Sequence, residues 1–158
     1  HDLCRRQRQM CIRDRYWGME EKTKESFKDD GFFITGDLAK KDENGYFTIV
    51  GRDKDMIISG GLNVYPKEIE DVINELPNIT ESAVFGVQHD DFGEAVVAAV
   101  VTTDDKNDGS QILDYTKDKI AKYKQPKKII FMSNLPRNSM GKVQKNKLRE
   151  NNKSLFKS

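Results

Sequence analysis

Apolar residues recur at strand spacing and in continuous runs through the second half of the chain. Two strands are predicted from Ser82 to Val87 and from Ala95 to Val101, and a third from Ile129 to Met132. Every residue from Ala95 to Val101 is apolar, so both faces of that strand are expected to be covered and the strand to lie centrally in its sheet. Polar residues from Gln88 to Glu94 separate the first two strands.

Helical periodicity and proline positions define the predicted helices. Pro66 suits the first turn of a helix that Pro77 stops. Its apolar stripe recurs at i, i+3, i+4 and i+7: Ile69, Val72, Ile73 and Leu76. A second helix is predicted to open at residues 108–110 and to close at Pro126, before a strand and a short basic C-terminal helix. Three residues of the second helix are expected to face the core: Leu113, Ile120 and Tyr123.

The first third of the chain predicts a polar helix, a hairpin and one buried strand. In order, the helix covers residues 16–28 and ends at Gly31, the hairpin joins Leu38–Lys41 to Tyr46–Val50, and the buried strand covers Asp55–Ser59. The hairpin turn contains Asn44-Gly45, a pair that tolerates the positive φ angles of tight turns. Gly60-Gly61 is expected to break the buried strand.

The order of these elements predicts the fold class and the domain boundary. After Gly61 the order is α, β, β, α, β, α, which predicts an α+β domain with helices packed on a short sheet. The hairpin is expected to belong to a larger preceding domain, so the boundary falls near Arg52 to Asp55, with Asp53-Lys54 as a hinge. Three parts are expected: a non-native or disordered segment over 1–15, the edge of the larger domain over 16–53, and a small mobile domain over 54–158.

Composition narrows the class of protein. The chain has 158 residues, enough for one ordinary domain with its own core. Its 36% apolar and 34% charged residues are typical of a polar protein with a single core, and no apolar run approaches the ~20 residues that span a bilayer. A cytoplasmic location is therefore the default expectation. The net charge of +1 gives no strong attraction to nucleic acid or to membranes, so neither is expected as a partner.

The first 15 residues differ in composition from the rest. They hold five arginines and both cysteines: Arg5, Arg6, Arg8, Arg13, Arg15, Cys4 and Cys11. A basic arm for nucleic acid is one interpretation, and a segment foreign to the fold is the favoured one. Because no cysteine follows Tyr16, the remaining chain offers no zinc knuckle, thiol nucleophile or disulfide.

Two segments place polar chemistry beside glycine. A carboxylate at the end of a strand, as expected for Asp37 in Thr35-Gly36-Asp37, can accept hydrogen bonds from the 2′- and 3′-hydroxyls of a ribose. The alternative interpretation of that carboxylate is a turn with a capping aspartate. Further on, Gly60-Gly61 follows a strand and would let another chain or a ligand approach the backbone closely.

A third segment, from Leu135 to Val143, contains a lysine directly after a glycine. A lysine in such a polar loop can be swung into a site as a mobile point charge. By itself, however, Gly141-Lys142 is typical of an ordinary solvated loop. The context of the other segments decides between these interpretations.

The three segments together resemble one family. Gly51 to Asp55, followed by Ile57 to Glu70, resembles the hinge-and-loop motif of adenylate-forming enzymes, which include acyl-CoA synthetases, firefly luciferase and peptide-synthetase adenylation domains. The Thr-Gly-Asp string resembles the motif that precedes it there, and Lys142 matches the motif that carries the adenylation lysine. The resemblance covers residues 16 to about 149. It implies the small C-terminal domain of the acyl-CoA synthetase type, preceded by a hairpin remnant of the larger AMP-binding domain.

The resemblance also implies an activity and roles for individual residues. An ATP-dependent acid–CoA ligase joins a carboxylate to AMP, releases pyrophosphate and then forms a thioester with coenzyme A. Asp37 would hold the ribose, Arg52 would contact the same nucleotide, and Lys54 would be the hinge of the domain rotation. Lys142 would bridge the substrate carboxylate and the α-phosphate. After rotation, Ser59-Gly60-Gly61 would line the pantetheine tunnel.

Further residues are weighed for coenzyme A and for metal. Four residues around Pro126 would contact the nucleotide of coenzyme A, although the solvated end of a helix explains them equally well: Tyr123, Lys124, Lys127 and Lys128. The Mg²⁺ that accompanies ATP would be bound by phosphates and by the missing domain. No protein metal site is expected, because His89, near Asp90, Asp91 and Glu94, is typical of a histidine in a solvated loop.

The motifs look most like those of malonyl-CoA or methylmalonyl-CoA synthetases of fatty acid metabolism. The alternatives are a medium-chain, long-chain or aryl acid–CoA ligase and a non-enzymatic, lysine-rich binding module. The expected partners are the missing N-terminal AMP-binding domain and a small carboxylic acid. Because the chain contains no Ser/Thr/Gly-rich phosphate loop, the isolated fragment is expected to be inactive.

Overall fold

The computed structural model describes residues 15–103 and 109–156. The expectations for the segment before Arg15, including those for Cys4 and Cys11, lie outside the described residues, as does Asp108. The chain divides into two compact units, residues 1–36 and 37–158. No helix in the described part of the chain is long and apolar enough to cross a membrane.

The described part of the first unit, residues 15–36, contains one short helix. Helix α1 covers Glu20–Glu25, and the rings of Phe27 and Phe33 pack edge to face at 5.3 Å after it. The predicted helix over 16–28 is therefore too long. Gly18 has a φ of 65°, a left-handed conformation that a right-handed helix cannot include, so the helix begins only after it.

The second unit begins with the predicted hairpin, which is confirmed. Strand β1 covers Asp37–Lys41 and pairs antiparallel with β2, Phe47–Arg52. In the turn, the Asp42 carboxylate accepts a hydrogen bond from the Tyr46 N–H at 2.8 Å. Gly45 has a φ of 88°, the positive angle that the turn residues predict.

A five-stranded sheet forms the centre of the second unit. Its strands are β3 Ile57–Ser59, β4 Leu62–Val64, β5 Ile79–His89, β6 Gly93–Thr102 and β7 Lys128–Phe131. The order is β4-β3-β6-β5, with β7 also paired to β6 and parallel to it. Strand β4 was not predicted, because Gly60-Gly61 ends one strand only to turn the chain directly into another.

The helices cover both faces of this sheet. They are α2 Pro66–Ile73, α3 Ser110–Lys119 and α4 Lys145–Asn151. Alternate residues of β6 lie in two different apolar clusters, so Val96 packs with Ile69 on one face and Val97 packs with Leu148 on the other. All four side chains are fully buried, which confirms the central position predicted for this strand.

Two helix predictions need correction. Helix α2 ends at Ile73, so Leu76 packs against the core from the turn that follows. In α3 the fully buried residues are Ile112 and Thr116, whereas Tyr123 is exposed. The helix ends at Lys119 and residues 122–124 form a separate 3₁₀ turn, so helical periodicity does not extend to Tyr123. The two other residues expected in the core behave differently: Ile120 is buried and Leu113 only half-buried.

Candidate functional site

Lys142 lies in the loop that joins β7 to α4, and its side chain is exposed. Within the described residues its ammonium group makes no hydrogen bond or ion pair. The backbone beside it is fixed, because Lys142 N–H donates to Asn138 Oδ1 and Asn138 N–H donates to the Lys142 carbonyl oxygen, each at 2.9 Å. Lys142 is therefore a solvent-facing cation on a turn whose backbone is hydrogen-bonded.

Arg137 joins this turn to the sheet. Its Nη1 donates a hydrogen bond to the Gly141 carbonyl oxygen at 2.6 Å, and its Nη2 forms an ion pair with Glu81 of β5. Its backbone forms a β-bridge with Val143. The start of the loop is thereby joined both to its own end and to a strand of the central sheet.

Lys145 anchors the chain just after the loop. Its Nζ lies 2.7 Å from Glu70 Oε1 of α2, and the two side chains are only 18% and 13% exposed. The same Glu70 oxygen accepts a hydrogen bond from the Val84 N–H of β5 at 2.7 Å. A carboxylate this far from water needs such donors. Sequence reasoning missed the pair, because no local pattern links two residues so far apart in the chain.

Asp37 and Arg52, the two residues predicted to hold the nucleotide, are brought together. They face each other across the hairpin, and Arg52 Nε lies 2.8 Å from Asp37 Oδ1. Carboxylate acceptors beside guanidinium donors fit the hydroxyls and phosphates of a nucleotide. One expectation was wrong: Asp37 begins a strand rather than ending one, because Gly36, with a φ of 69°, turns the chain just before it.

Lys54 lies in a short 3₁₀ turn over Asp53–Asp55 and is exposed. In the described part of the chain, the side chains of Asp53 and Lys54 make no hydrogen bond or ion pair. The next residue is held: Arg149 of α4 lies 3.6 Å from the Asp55 carboxylate and also donates to the Asp55 carbonyl oxygen at 3.4 Å. The turn therefore has a side-chain partner at Asp55 but none at Lys54 among the described residues.

Ser59, Gly60 and Gly61 lie at the tip of the β3–β4 hairpin. Ser59 is buried opposite Gly93 of β6, and Gly60 N–H donates to the Phe92 carbonyl oxygen at 2.8 Å. Gly60 and Gly61 have φ angles of 59° and 79°, the positive values that a two-residue type I′ turn requires. A Cβ atom added to either glycine would meet no atom within 4 Å, so the space beside the turn is open to a ligand.

The residues predicted to contact coenzyme A lie between α3 and β7. Lys124 Nζ donates to both carboxylate oxygens of Glu68 at 2.7 and 2.8 Å, and this hydrogen bonding raises the pKa of Lys124 above its ordinary value. Lys127 Nζ lies 5.1 Å from the centre of the Phe92 ring. Two others are exposed: Tyr123 and Lys128. Lys124 is therefore committed to an internal pair, while the other three side chains face outward.

A cavity of about 640 Å³ lies between the β1–β2 hairpin and α2. Apolar residues of the hairpin line one side, and charged residues of α2 line the other. Among the residues singled out from the sequence, only Lys124 borders it. The remaining predicted site residues do not line this cavity.

His89 packs between two aromatic rings. Its ring centre lies 4.9 Å from that of Phe92 and 5.1 Å from that of Phe156, and its Nδ1 accepts a hydrogen bond from the Asp91 N–H at 3.2 Å. No group of three His, Cys, Asp or Glu side chains within residues 15–103 and 109–156 is placed to hold a metal ion. His89 is accounted for by packing.

Comparison with known proteins gives consistent results. Residues 68–142 match the family described as AMP-binding enzyme C-terminal domain. The long-chain fatty-acid–CoA ligase FadD13 of Mycobacterium tuberculosis is 47% identical over 135 residues, which are 85% of this chain and 27% of the relative. The mitochondrial medium-chain acyl-CoA ligase ACSF2 of Bos taurus is 43% identical over 141 residues, 89% of this chain and 23% of the relative.

Solved structures agree with this. The crystal structure of ATP-bound MatB from Rhodopseudomonas palustris is 57% identical, with a TM-score of 0.82 over 90% of this chain and 29% of that chain. The chain spans 27% and 23% of the length of the two curated relatives. Together these matches show that the chain carries the C-terminal domain of the AMP-binding enzymes and that its relatives include acyl-CoA ligases.

Proposed function

We propose that the chain supplies the mobile C-terminal domain of an ATP-dependent acid–CoA ligase. Residues 54–158 would move as the small domain, and residues 16–53 would form the edge of the large AMP-binding domain. The observation that carries the proposal is the presentation of Lys142, a solvent-facing ammonium group on a turn whose backbone is hydrogen-bonded beside it. FadD13 and ACSF2, both named as CoA ligases, support the reaction class.

Lys142 would act in the first half-reaction. There an oxygen of the substrate carboxylate bonds to the α-phosphorus of ATP, and the bond from that phosphorus to pyrophosphate breaks. Lys142 would lie between the carboxylate and the α-phosphate and offset the negative charge that gathers on them. Mg²⁺, bound through phosphate oxygens and the larger domain, would neutralise part of the charge on the leaving pyrophosphate.

Asp37 and Arg52 would hold the nucleotide during this step. The Asp37 carboxylate would accept hydrogen bonds from the ribose hydroxyls, and Arg52 would contact the same nucleotide while orienting the carboxylate. Their pairing at 2.8 Å across the hairpin supports a shared role, because one rigid element then positions both groups.

Lys54 would be the pivot on which the small domain turns between the two half-reactions. On one side Arg52 is paired with Asp37 of the hairpin, and on the other Asp55 is paired with Arg149 of the small domain. These two ion pairs leave Asp53 and Lys54 without a described side-chain contact, so a change in their φ and ψ angles would break only the backbone hydrogen bonds from the Met56 N–H to the Arg52 and Asp53 carbonyl oxygens. That arrangement supports a hinge at Lys54.

After rotation, the open face of Ser59-Gly60-Gly61 would line the route of the pantetheine arm. The thiol sulfur would then bond to the acyl carbonyl carbon, and AMP would leave with the oxygen that had joined it to the acyl group. Tyr123, Lys127 and Lys128 would contact the nucleotide of coenzyme A. Lys124 would first have to leave Glu68, so it is the weakest member of that set.

Exposed apolar side chains support a large partner domain. In the first unit, Trp17 is 97% exposed and Phe32 72%. In the β1–β2 hairpin, Tyr46, Phe47 and Ile49 are each at least 65% exposed. Apolar groups in such numbers mark surfaces that another protein surface covers. We propose that the large AMP-binding domain covers them.

Malonate or methylmalonate is the acid that we propose as substrate. The resemblance of the motifs and the 57% identity to MatB, a malonyl-CoA synthetase, support this choice. The fatty-acid ligases FadD13 and ACSF2 favour a longer acyl chain as the second candidate. A cytoplasmic location stays a prediction, since ACSF2 is named as mitochondrial.

A chimera tests the role of the domain. Residues 16–158 would replace the matching region of MatB from Rhodopseudomonas palustris, and ATP–pyrophosphate exchange with malonate would report the first half-reaction. We expect the chimera to be active, and we expect Lys142→Ala to abolish exchange while sparing thioester formation from supplied malonyl-adenylate. Lys147→Ala, on an exposed lysine of α4, is the matched control. An inactive chimera, or equal loss of both steps, would contradict the proposal.

The isolated chain and the complete natural enzyme test the remaining claims. We expect the isolated chain to catalyse no measurable exchange, and robust exchange would refute its dependence on a larger domain. In the complete natural enzyme, exchange supported by malonate or methylmalonate but not by octanoate is the expected result. The reverse preference would replace the proposed substrate with the fatty-acid alternative.

A further inference from the structure

The turn that carries Lys142 is built around one side chain, that of Asn138. Its Oδ1 accepts hydrogen bonds from the Met140 N–H at 3.0 Å and from the Lys142 N–H at 2.9 Å. The backbone of Asn138 adds two more bonds, one from the Gly141 N–H to its carbonyl oxygen and one from its own N–H to the Lys142 carbonyl oxygen, both at 2.9 Å. Four hydrogen bonds therefore meet at Asn138 and fix the path of the chain to Lys142.

Arg137 secures the same turn from the opposite side. One guanidinium nitrogen donates to the carbonyl oxygen of Gly141, the residue directly before the lysine, and another pairs with Glu81 of β5. The planar guanidinium group thus joins the turn to the central sheet in a fixed geometry. These contacts hold the backbone at Lys142 but not its side chain.

These bonds are not needed to hold the fold around the loop. On one side of the turn Leu135 is buried, and on the other Leu148 of α4 is fully buried; both pack in the same apolar cluster. Asn138 is half-buried and Arg137 exposed. The position of the loop ends is therefore set by apolar packing, and the polar network sets the shape of the turn between them.

We infer that Asn138 and Arg137 are positioning residues for Lys142, because they hold the backbone from which its ammonium group extends. This inference rests on the proposed function. A turn that is already ordered before the reaction loses less conformational entropy when the ammonium group engages the two anions. Loosening the turn should therefore slow the step that uses Lys142 and leave the other step unchanged.

The first experiment reads the order of the turn and needs no catalysis. Amide hydrogen exchange of the 158-residue chain, followed by NMR, would report the Met140 and Lys142 amides. We expect both to exchange at least about tenfold faster in Asn138→Ala, because each loses its acceptor. In Ser139→Ala they should not change, since the exposed Ser139 hydroxyl makes no hydrogen bond within the described residues. Unaltered exchange in Asn138→Ala would overturn the structural part of the inference.

The second experiment uses the MatB chimera. Asn138→Ala should lower malonate-dependent exchange by about ten- to a hundredfold, the range that misplacement of a catalytic group produces. Thioester formation from supplied malonyl-adenylate should stay within about twofold of the unsubstituted chimera. Asn138→Ser should restore most of the ATP–pyrophosphate exchange, because a serine hydroxyl supports the same turn, although more weakly than the asparagine side chain does. Arg137→Ala should lower the rate of ATP–pyrophosphate exchange but not that of thioester formation, whereas Ser139→Ala should alter neither step.

The outcomes separate this inference from the proposed function. If Lys142→Ala abolishes exchange but Asn138→Ala does not, the proposed function stands and the positioning role fails. If Asn138→Ala slows both half-reactions equally, the residue has a general structural role, and the inference also fails. If Lys142→Ala leaves exchange intact, the proposed function itself is refuted.

Discussion

Two short polar segments of the second unit, both exposed at the surface, are built in opposite ways. The hinge segment, Arg52 to Asp55, has ion pairs at its first and last residues, and the Met56 N–H donates to the Arg52 and Asp53 carbonyl oxygens at 3.2 and 3.1 Å. The lysine loop, Arg137 to Val143, is hydrogen-bonded along most of its length. The sequence predicts a hinge at Asp53-Lys54 and, at Lys142, a lysine that can be swung into a site. In the structure the side chains of Asp53 and Lys54 have no described partner, whereas Asn138 and Arg137 cross-link the backbone of the lysine loop.

This difference suits the two segments to two different mechanical roles. A domain that serves two half-reactions needs a large change of orientation, which a few residues with unrestrained φ and ψ angles can provide. It also needs a charged group placed to within a fraction of an ångström, which requires a rigid support. The hinge segment suits the first task and the lysine loop the second.

The largest expected effect tests the anchor at the end of the lysine loop. Lys145→Met removes the cation from a Glu70 carboxylate that is 13% exposed, so we expect the free energy of unfolding to fall by about 3 kcal/mol. Urea denaturation of the 158-residue chain would measure it. The double variant Lys145→Met/Glu70→Gln should recover most of the lost stability. Lys147→Met, on the exposed face of α4, should change the free energy of unfolding little. A loss below about 1 kcal/mol would mean that the pair is solvated.

The next effect concerns the hinge segment. Proline fixes its own φ angle and disfavours helical angles in the residue before it. Lys54→Pro should therefore restrict the backbone angles of both Asp53 and residue 54. We expect multiple-turnover thioester formation by the chimera to fall about tenfold, while the free energy of unfolding of the chain changes by less than about 0.5 kcal/mol. Lys54→Ala is the control and should retain turnover. Equal turnover in the proline variant would place the pivot elsewhere.

A smaller effect is expected from Arg149→Ala, which releases Asp55 and lengthens the free part of the hinge. The paired side chains are 28% and 25% exposed, so we expect a loss of about 1 kcal/mol in the free energy of unfolding. Amide exchange should become faster at Met56, the residue after the released turn, and stay constant at Lys142. Arg149→Lys should be intermediate, since it keeps the charge but not the forked donors. Faster exchange at both sites would show that the two segments are not independent.

The smallest effect comes from a pair outside both segments. Hydrogen bonding to Glu68 raises the pKa of Lys124 above the ordinary value of 10.5. Its stabilising contribution is therefore complete below that value and is lost as the pH rises through the higher pKa of the folded state. Lys124→Ala should cost less than about 1 kcal/mol at pH 7, and its difference from the wild type should shrink above about pH 10.5 in denaturation experiments. Lys122→Ala, on an exposed lysine of the same turn that makes no described ion pair, is the matched control.

Local sequence rules predicted the elements whose determinants lie close together in the chain. The β1–β2 hairpin follows from Asn44-Gly45 between two strand-forming runs, and α2 follows from Pro66 and its apolar stripe. Strand β4 was missed because three residues after a glycine pair carry too little pattern to separate a strand from a loop. The correct β6 prediction depended on its length and on its lack of polar residues.

In the candidate site, too, sequence rules predicted only the features whose determinants lie close together in the chain. Motif spacing identified Lys142, and Asn138, four residues earlier, carries the local signal of a side chain that turns its own backbone. The pairs Arg137–Glu81 and Lys145–Glu70 join distant parts of the chain and could be found only in the folded structure.

Under the proposed function, the Gly60-Gly61 turn would be subject to two evolutionary constraints, and a multiple alignment alone cannot separate them. The hairpin itself demands positive φ at both positions, so glycine would persist there even if no pantetheine arm ever passed. Asparagine tolerates positive φ but adds a side chain on the open face. A lineage that had lost thioester chemistry could therefore accept asparagine at position 60, while one that retained the tunnel could not.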